Sequence, residues 1–339
     1  MRLLSVELRR YFSRWTIRIG WVGAAVLIAI LGAGTYLSSA PPTAEEIAEA
    51  EHYFEQDHAE WVKNGDEWEA GCREDEANER EALIEAGDEA GAAELNFGCD
   101  EMEPKLEHYM WSTTYQEDVK SSLFTGGAFI VLPLVLGMAI TFMASEFTTG
   151  TMSTWLTFEP RRQRVYASKL GAVAVASGLL SVLTYGVLWL IYLGITTAYD
   201  LEPLVGEGYQ YMVDTSFGHV VVRVALLVIA AGLFGVALSS IIRHTAGAII
   251  AVVGYVIIDK IAQGIYAPLA KYALTTHVQG VVLNGATYYV DVCESVAGGT
   301  SCQFTEYSID FEISAIVIAV LVLGTVVVGA WRFQRRDVS

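Results

Sequence analysis

The chain has 339 residues, of which 53% are hydrophobic and 18% charged, with a mean hydropathy of +0.40 and a formal net charge of −18. A soluble globular domain carries about 25% charged residues and about 45–50% apolar ones, so a wholly water-soluble protein is excluded. The charge is concentrated: residues 41–120 hold 25 Asp and Glu against five Lys and Arg, and the remainder is close to neutral. An acidic chain also gives no surface for nucleic acid, which is bound through basic patches.

Residues 1–16, MRLLSVELRRYFSRWT, place Leu3, Leu4, Leu8, Tyr11, Phe12 and Trp15 at helical spacing, with Arg2, Arg9, Arg10 and Arg14 between them. That pattern predicts an amphipathic helix lying in the inner headgroup layer, anchored by Arg9, Arg10, Arg14 and Trp15. A first apolar run follows at Ile17–Leu37, with Arg18 snorkelling at its start. It is read as a retained span, being long for a cleaved signal segment and followed by Pro41.

Residues 38–123 read as an acidic, mainly helical extracellular domain. Thr43 followed by Glu46 is a capping-box signature. Asn64-Gly65 reads as a turn between two helices, and a further stretch from Pro104 runs toward the second span. Few aliphatic residues occur here, so a helical hairpin stapled by a disulfide is expected. Cys72, Cys99, Cys293 and Cys302 all fall in segments assigned to the outside, where disulfides persist. The local pairing Cys72–Cys99 and Cys293–Cys302 is preferred, each worth roughly 2–4 kcal/mol.

Five further runs are long enough for a bilayer core of about 30 Å. They are Gly126–Ala144, Leu170–Ile195, Val220–Ile242, Ala246–Ile265 and Ile313–Trp331. Arg223 is expected to snorkel from the outer end of one, and Asp259 with Lys260 interrupts another. Between the last two runs, residues 266–312 read as an extracellular or re-entrant segment, apolar from Ala267 to Gly280 and strand-like or irregular from Thr287 to Phe311.

Arg and Lys cluster in the amino-terminal stretch, in the loop with Arg161, Arg162, Arg164 and Lys169, at Arg243, and in the tail with Arg332, Arg335 and Arg336. These segments alternate to share one side. The positive-inside rule makes that side the cytoplasm and both termini cytoplasmic. The expected architecture is an all-α integral membrane protein: amphipathic helix 1–16, first span 17–37, acidic domain 38–123, spans two to five over 124–265, segment 266–312, and last span with tail 313–339.

No phosphate loop, H-E-x-x-H or G-x-S-x-G occurs, so no catalytic residues and no metal site are expected, nor any cofactor in this chain. The acidic stretch has no EF-hand spacing. The informative segment is the first cytoplasmic loop, 145–169, beginning SEFTTGTMSTWLTFEPRRQRVYASK. Gly150 and Pro160 punctuate a short helix whose Met152, Trp155, Leu156 and Phe158 are expected as apolar knobs, with Arg161, Arg162 and Arg164 anchoring it to headgroups.

This loop resembles that of permease subunits of type-2 ATP-binding cassette (ABC) exporters. There a Glu, a Gly-Thr pair, an apolar turn, a Pro with a following Arg, and a Lys opening the third helix recur. This sequence has Glu146, Gly150-Thr151, Trp155-Leu156, Pro160, Arg162 or Arg164, and Lys169. The amphipathic start resembles that family's elbow helix, and six spans with an apolar segment between the last two also match. The long acidic insertion after the first span departs from it. The resemblance implies a coupling helix at 148–158, built on Glu146, Gly150, Thr151, Met152, Trp155, Leu156 and Phe158, with Arg243 and His244 in a second contact. It further implies two cytoplasmic ABC ATPase subunits carrying ATP and Mg, and a second permease copy or a related permease, in contact with membrane lipids. The alternative is a membrane-anchored sensor whose acidic domain captures a cationic ligand.

Overall fold

The computed structural model describes residues 2–85, 87, 89–109, 115–203, 216–296 and 299–335. The chain divides into two compact units: Met1–Leu37 with Tyr115–Asp291 and Phe304–Ser339, and Ser38–Thr114 with Val292–Gln303.

The first unit is helical. Helix α1 (Arg2–Ser13) breaks at Arg14 and gives way to α2 (Trp15–Ser38). After the second unit come α5 (Gln116–Thr148), α6 (Thr151–Phe158), α7 (Arg162–Ala198), α8 (Phe217–Ile242) and α9 (Thr245–Ile265). A 3-10 segment (Ala267–Tyr272) and α10 (Leu274–Leu283) lead to a two-stranded ribbon of β1 (Gly285–Val296) and β2 (Gly299–Asp310), then to α11 (Phe311–Arg335). Among the described residues, six helices are long and apolar enough to cross a membrane: α2, α5, α7, α8, α9 and α11. The protein is therefore a multi-pass membrane protein. It is mostly helical, with the ribbon confirming the strand-like character expected after Thr287.

Helix α8 packs against α5, α7 and α11 and forms the centre of this unit. Its glycines permit the approach. A Cβ on Gly235 would stand 2.9 Å from the Ala139 Cβ and 3.0 Å from the Leu136 carbonyl oxygen, and one on Gly232 would meet Ser177 and Val173. Close backbone contact at small residues is how spanning helices associate where lipid is as apolar as the side chains. The outer helices are the converse. Ile250 and Ile258 on α9 and Leu37 on α2 are about two-thirds or more exposed, as expected of surfaces that face hydrocarbon.

Two expectations about charged residues are revised. Asp259 and Lys260 do not interrupt a span, because α9 runs continuously through them. The Asp259 carboxylate accepts from the Thr275 hydroxyl at 2.6 Å and from its backbone N–H at 3.3 Å, holding the first turn of α10. Arg223 does not snorkel. It is buried, donates to Asn284 Oδ1 at 2.8 Å and to the Val282 carbonyl at 2.9 Å, and lies 5.8 Å from the Phe311 ring. It thereby ties α8 to the end of α10, where Asn284 takes the left-handed conformation (φ 67°). Arg223→Leu is expected to strand both acceptors and cost about 1–3 kcal/mol, read as a lower melting temperature in detergent. Arg223→Lys is expected to recover only part, since an ammonium lacks the planar fork that reaches both oxygens. Equal melting of Arg223→Leu and the parent would refute the staple.

The second unit is built on α3 (Ala44–Glu85), 42 residues long, followed by α4 (Glu89–Glu94), with short 3-10 turns at Cys99–Glu101 and Leu106–His108. The capping box is formed: the Thr43 N–H donates to Glu46 at 2.7 Å and the Glu46 N–H to the Thr43 hydroxyl at 3.3 Å. The backbone bond from Thr43, then its hydroxyl, hold the Glu46 carboxyl below its usual range. The expected turn at Asn64-Gly65 is absent, and α3 passes straight through. The Trp61 indole lies over Gly65, where a Cβ would come within 2.7 Å of the ring, so this glycine serves a close approach and not a bend.

The returning segment is fastened to α3 by polar and covalent ties rather than by an apolar core. Cys72 and Cys99 form a disulfide. Arg73 pairs with Asp100 at 2.8 Å. Arg80 donates to the carbonyls of Ala92 (3.1 Å) and Leu95 (2.8 Å) and pairs with Glu76. The Phe97 N–H donates to Glu76 at 2.9 Å, and this bond, then Arg80, lowers the Glu76 carboxyl. The expected Cys293–Cys302 pair lies outside the described side chains.

Candidate functional site

The loop between α5 and α7 is organised by three local features. Gly150 stands in the left-handed region at φ 68°, so α5 can end at Thr148, capped by Thr149, and α6 begin at once in a new direction. Pro160 forces Glu159 out of helical conformation (φ −131°, ψ 94°), which stops α6 after eight residues. Helix α7 then starts at Arg162.

Of the expected knobs on α6, only Phe158 is fully presented, at 79% exposure; Trp155 and Leu156 are half-buried against the core. Met152 is not an exposed knob: it is completely buried. Trp155 follows it by three positions, so both lie on the face that α6 turns inward.

Beneath this helix lies a buried ionic junction joining α1, α5 and α7. Glu7, Glu146 and Lys169 are each fully buried. The Lys169 ammonium sits between the carboxylates, 2.6 Å from Glu146 Oε2 and 3.0 Å from Glu7 Oε2. Arg14 reaches Glu146 Oε1 at 2.5 Å, and Arg10 reaches it at 3.3 Å while also contacting Glu7 at 3.4 Å. Arg14 further donates to the Phe142 carbonyl at 2.9 Å and to the Ser145 hydroxyl. The Phe142 ring is 4.9 Å from both Arg14 and Lys169, and Arg10 lies 4.9 Å from the Trp155 ring. Burial lowers the Arg14 pKa, and Glu146 opposes that shift. Tyr11 is buried on the same side of α1 and meets Phe142 edge-on at 5.1 Å.

Arg10 and Arg14, expected at headgroups, pair with Glu146 inside the protein while each keeps part of its side chain open to the surface. Arg9, Arg161 and Arg164 are exposed, and Trp15 is 70% exposed. Arg162 reaches the carbonyls of Phe333 and Gln334 at 3.5 and 3.4 Å, at the end of α11. Arg243 ends α8 in left-handed conformation (φ 60°) with its guanidinium 5.2 Å from the Phe147 ring. The His244 imidazole accepts from the Gly247 N–H at 3.3 Å and opens α9.

Sequence reading missed Glu7. It carries a signal: it is the sole acidic residue before Glu45, set in a segment rich in arginine. A lone carboxylate among arginines on a helix with one apolar face points to an internal ion pair. Spacing could not show that Lys169, 162 positions away, completes it.

Among the described residues, no group of three or more His, Cys, Asp and Glu side chains converges as metal ligands would. Chemically, the junction fixes the roots of three helices.

A family model, DUF2705, described as a protein of unknown function, matches residues 102–339. No curated protein and no solved structure matches the chain. The matched part holds five of the six spanning helices together with α6, Glu146 and Lys169, while Glu7 precedes it. The match covers well over half of the sequence, and the chain accordingly belongs to the DUF2705 family.

Proposed function

We propose that this chain is the membrane-spanning permease subunit of an exporter driven by separate ABC-type ATPases. The observation that supports this best is the arrangement around α6. A short, rigid helix bounded by Gly150 and Pro160 presents Phe158 outward and buries Met152. Its root rests on an ionic junction that links α1, α5 and α7. A push on Phe158 would move a packed body, since interdigitated interiors shift as units rather than deform.

In this reading α1 is the elbow helix and α6 the coupling helix. The loop at Arg243 and His244 is a second contact. Both termini are cytoplasmic and the acidic module is outside, on the side where its disulfide persists. Two permeases pair, as two copies or with a relative. The chain supplies the path, and ATP with its Mg stays on the partner subunits. An amphipathic substrate (lipid, drug or peptide) fits a path between apolar helices.

The test is purification from the native membrane in mild detergent, followed by mass spectrometry and an ATPase assay. A stoichiometric ATP-binding subunit is expected. Phe158→Ala is expected to leave melting unchanged, because 79% of the residue is exposed, and to lower partner retention or coupled ATPase activity roughly tenfold, the cost of an interface anchor. A preparation without any nucleotide-binding partner sinks the reading.

That outcome would favour a sensor. The feature supporting it is α3, with 16 carboxylates against three basic residues. A groove of about 720 Å³ on that helix is lined by Glu67, Trp68, Glu74, Asp75 and Met102, a surface matched to a cationic amphipathic ligand.

A further inference from the structure

Beside the ionic junction lies an open cleft of about 410 Å³, lined by Arg10, Ser13, Arg14, Ser145, Thr149 and Thr151. Trp15 stands at the same cleft and is 70% exposed. We infer that this cleft binds the phosphate headgroup of an anionic bilayer lipid.

Charge balance supports it first. Among the described residues, the junction holds three cations (Arg10, Arg14, Lys169) against two carboxylates (Glu7, Glu146). One positive charge is left uncompensated. Lys169 and both carboxylates are sealed, whereas Arg10 and Arg14 keep 29% and 22% of their side-chain surface open. The excess charge therefore faces the cleft, and it acts there more strongly than in open water because the surroundings are protein and lipid.

The donor set is the second support. Guanidinium groups are the side chains that recognise phosphate oxygens best, and Arg10 and Arg14 both line the cleft. Thr151 opens α6, so the cleft also borders the positive end of that helix.

Position selects a lipid over a free anion. The cleft lies where α2 begins at Trp15 and α5 ends at Thr148, at the ends of two spanning helices. An exposed Trp at that point sits at the level of the headgroups. The phosphate of a phospholipid is held there by its own acyl chains, while an inorganic anion must be drawn from solution. The inference stands whether or not the chain is a permease.

The test uses the full chain in mild detergent and native mass spectrometry with added dioleoyl phosphatidylglycerol or dioleoyl phosphatidylcholine. The parent is expected to retain the anionic lipid at least about fivefold better than the zwitterionic one, the effect of about one unit of interfacial charge. Ser13→Glu and Thr149→Glu place a carboxylate in the cleft from exposed positions outside the ion pairs, and each is expected to abolish the preference. Ser13→Ala is expected to keep it. If one glutamate variant is not monodisperse, the other decides. Equal retention of both lipids by the parent overturns the inference, as does unchanged preference in a well-folded glutamate variant. Displacement of the lipid by millimolar inorganic phosphate would make the ligand a free anion and overturn the lipid assignment. Loss of a co-purifying protein in Ser13→Glu without any change in lipid binding would make the cleft a protein contact instead.

Discussion

Lys169→Met is expected to destabilise the membrane bundle by about 3–5 kcal/mol, the cost of removing one partner from a buried ion pair. The ammonium it deletes is fully buried between the two buried carboxylates and lies closer to the pair, at 2.6 and 3.0 Å, than Arg10, which reaches them at 3.3 and 3.4 Å from a partly open position. Glu7 would keep only Arg10, at 3.4 Å, and Glu146 would keep the two arginines on its other oxygen. The measurement is thermal melting of detergent-purified protein, with fluorescence size exclusion reporting yield. Two comparisons separate the ion pair from general damage to α7. Glu7→Gln combined with Lys169→Met should recover part of the loss, because one stranded charge disappears and the two sites are coupled. Arg9→Gln, on an exposed residue of the same helix as Glu7, should stay within about 0.5 kcal/mol. Melting of Lys169→Met indistinguishable from the parent would mean that the junction does not hold α1 in place.

Opening the Cys72–Cys99 disulfide is expected to cost the acidic unit about 2–5 kcal/mol and to free the segment from Leu95 to Tyr109 from α3. The effect should be large because the unit has little else. Its buried side chains are small, such as Ala50 and Ala92, and Trp68 stays 42% exposed. With the crosslink gone, the Arg73–Asp100 pair and the Arg80 bonds to Ala92 and Leu95 remain, and solvent-exposed ion pairs contribute little. Limited trypsin digestion reads the change. Cleavage after Lys105, which is exposed, should accelerate at least tenfold in Cys99→Ser or after reduction, while the melting transition of the helical bundle stays where it was. Equal cleavage rates with and without the crosslink would show that the polar ties suffice.

The spans were legible because they are a local property. About 20 apolar residues in succession have one stable arrangement in a bilayer, whatever the rest of the chain does. The run Val220–Ile242 became the helix Phe217–Ile242, and Ala246–Ile265 became Thr245–Ile265. Where the helix outran its apolar stretch, as in Gln116–Thr148 around Gly126–Ala144, polar turns continued it past the hydrophobic limit. Thr43 with Glu46 was equally readable, since a capping box closes within one turn. Asn64-Gly65 misled because a turn dipeptide competes with its flanks, and here long helix-favouring flanks and the Trp61 indole stacked over the glycine won.

By itself, then, the sequence determined the membrane class, the six spans, the short helix between Gly150 and Pro160 and the acidic character of residues 41–120, all set by neighbours within a few turns. Only the tertiary structure decided what the charges do. Arg223 turned inward to oxygens about 60 positions away, and Glu7 met Lys169 across 162. Met152 is completely buried as part of the bundle's shared core. A charge next to a bilayer has two ways to avoid desolvation, reaching water or finding a counter-ion, and the sequence shows the charge while the packing of α1 against α5 and α7 makes the choice.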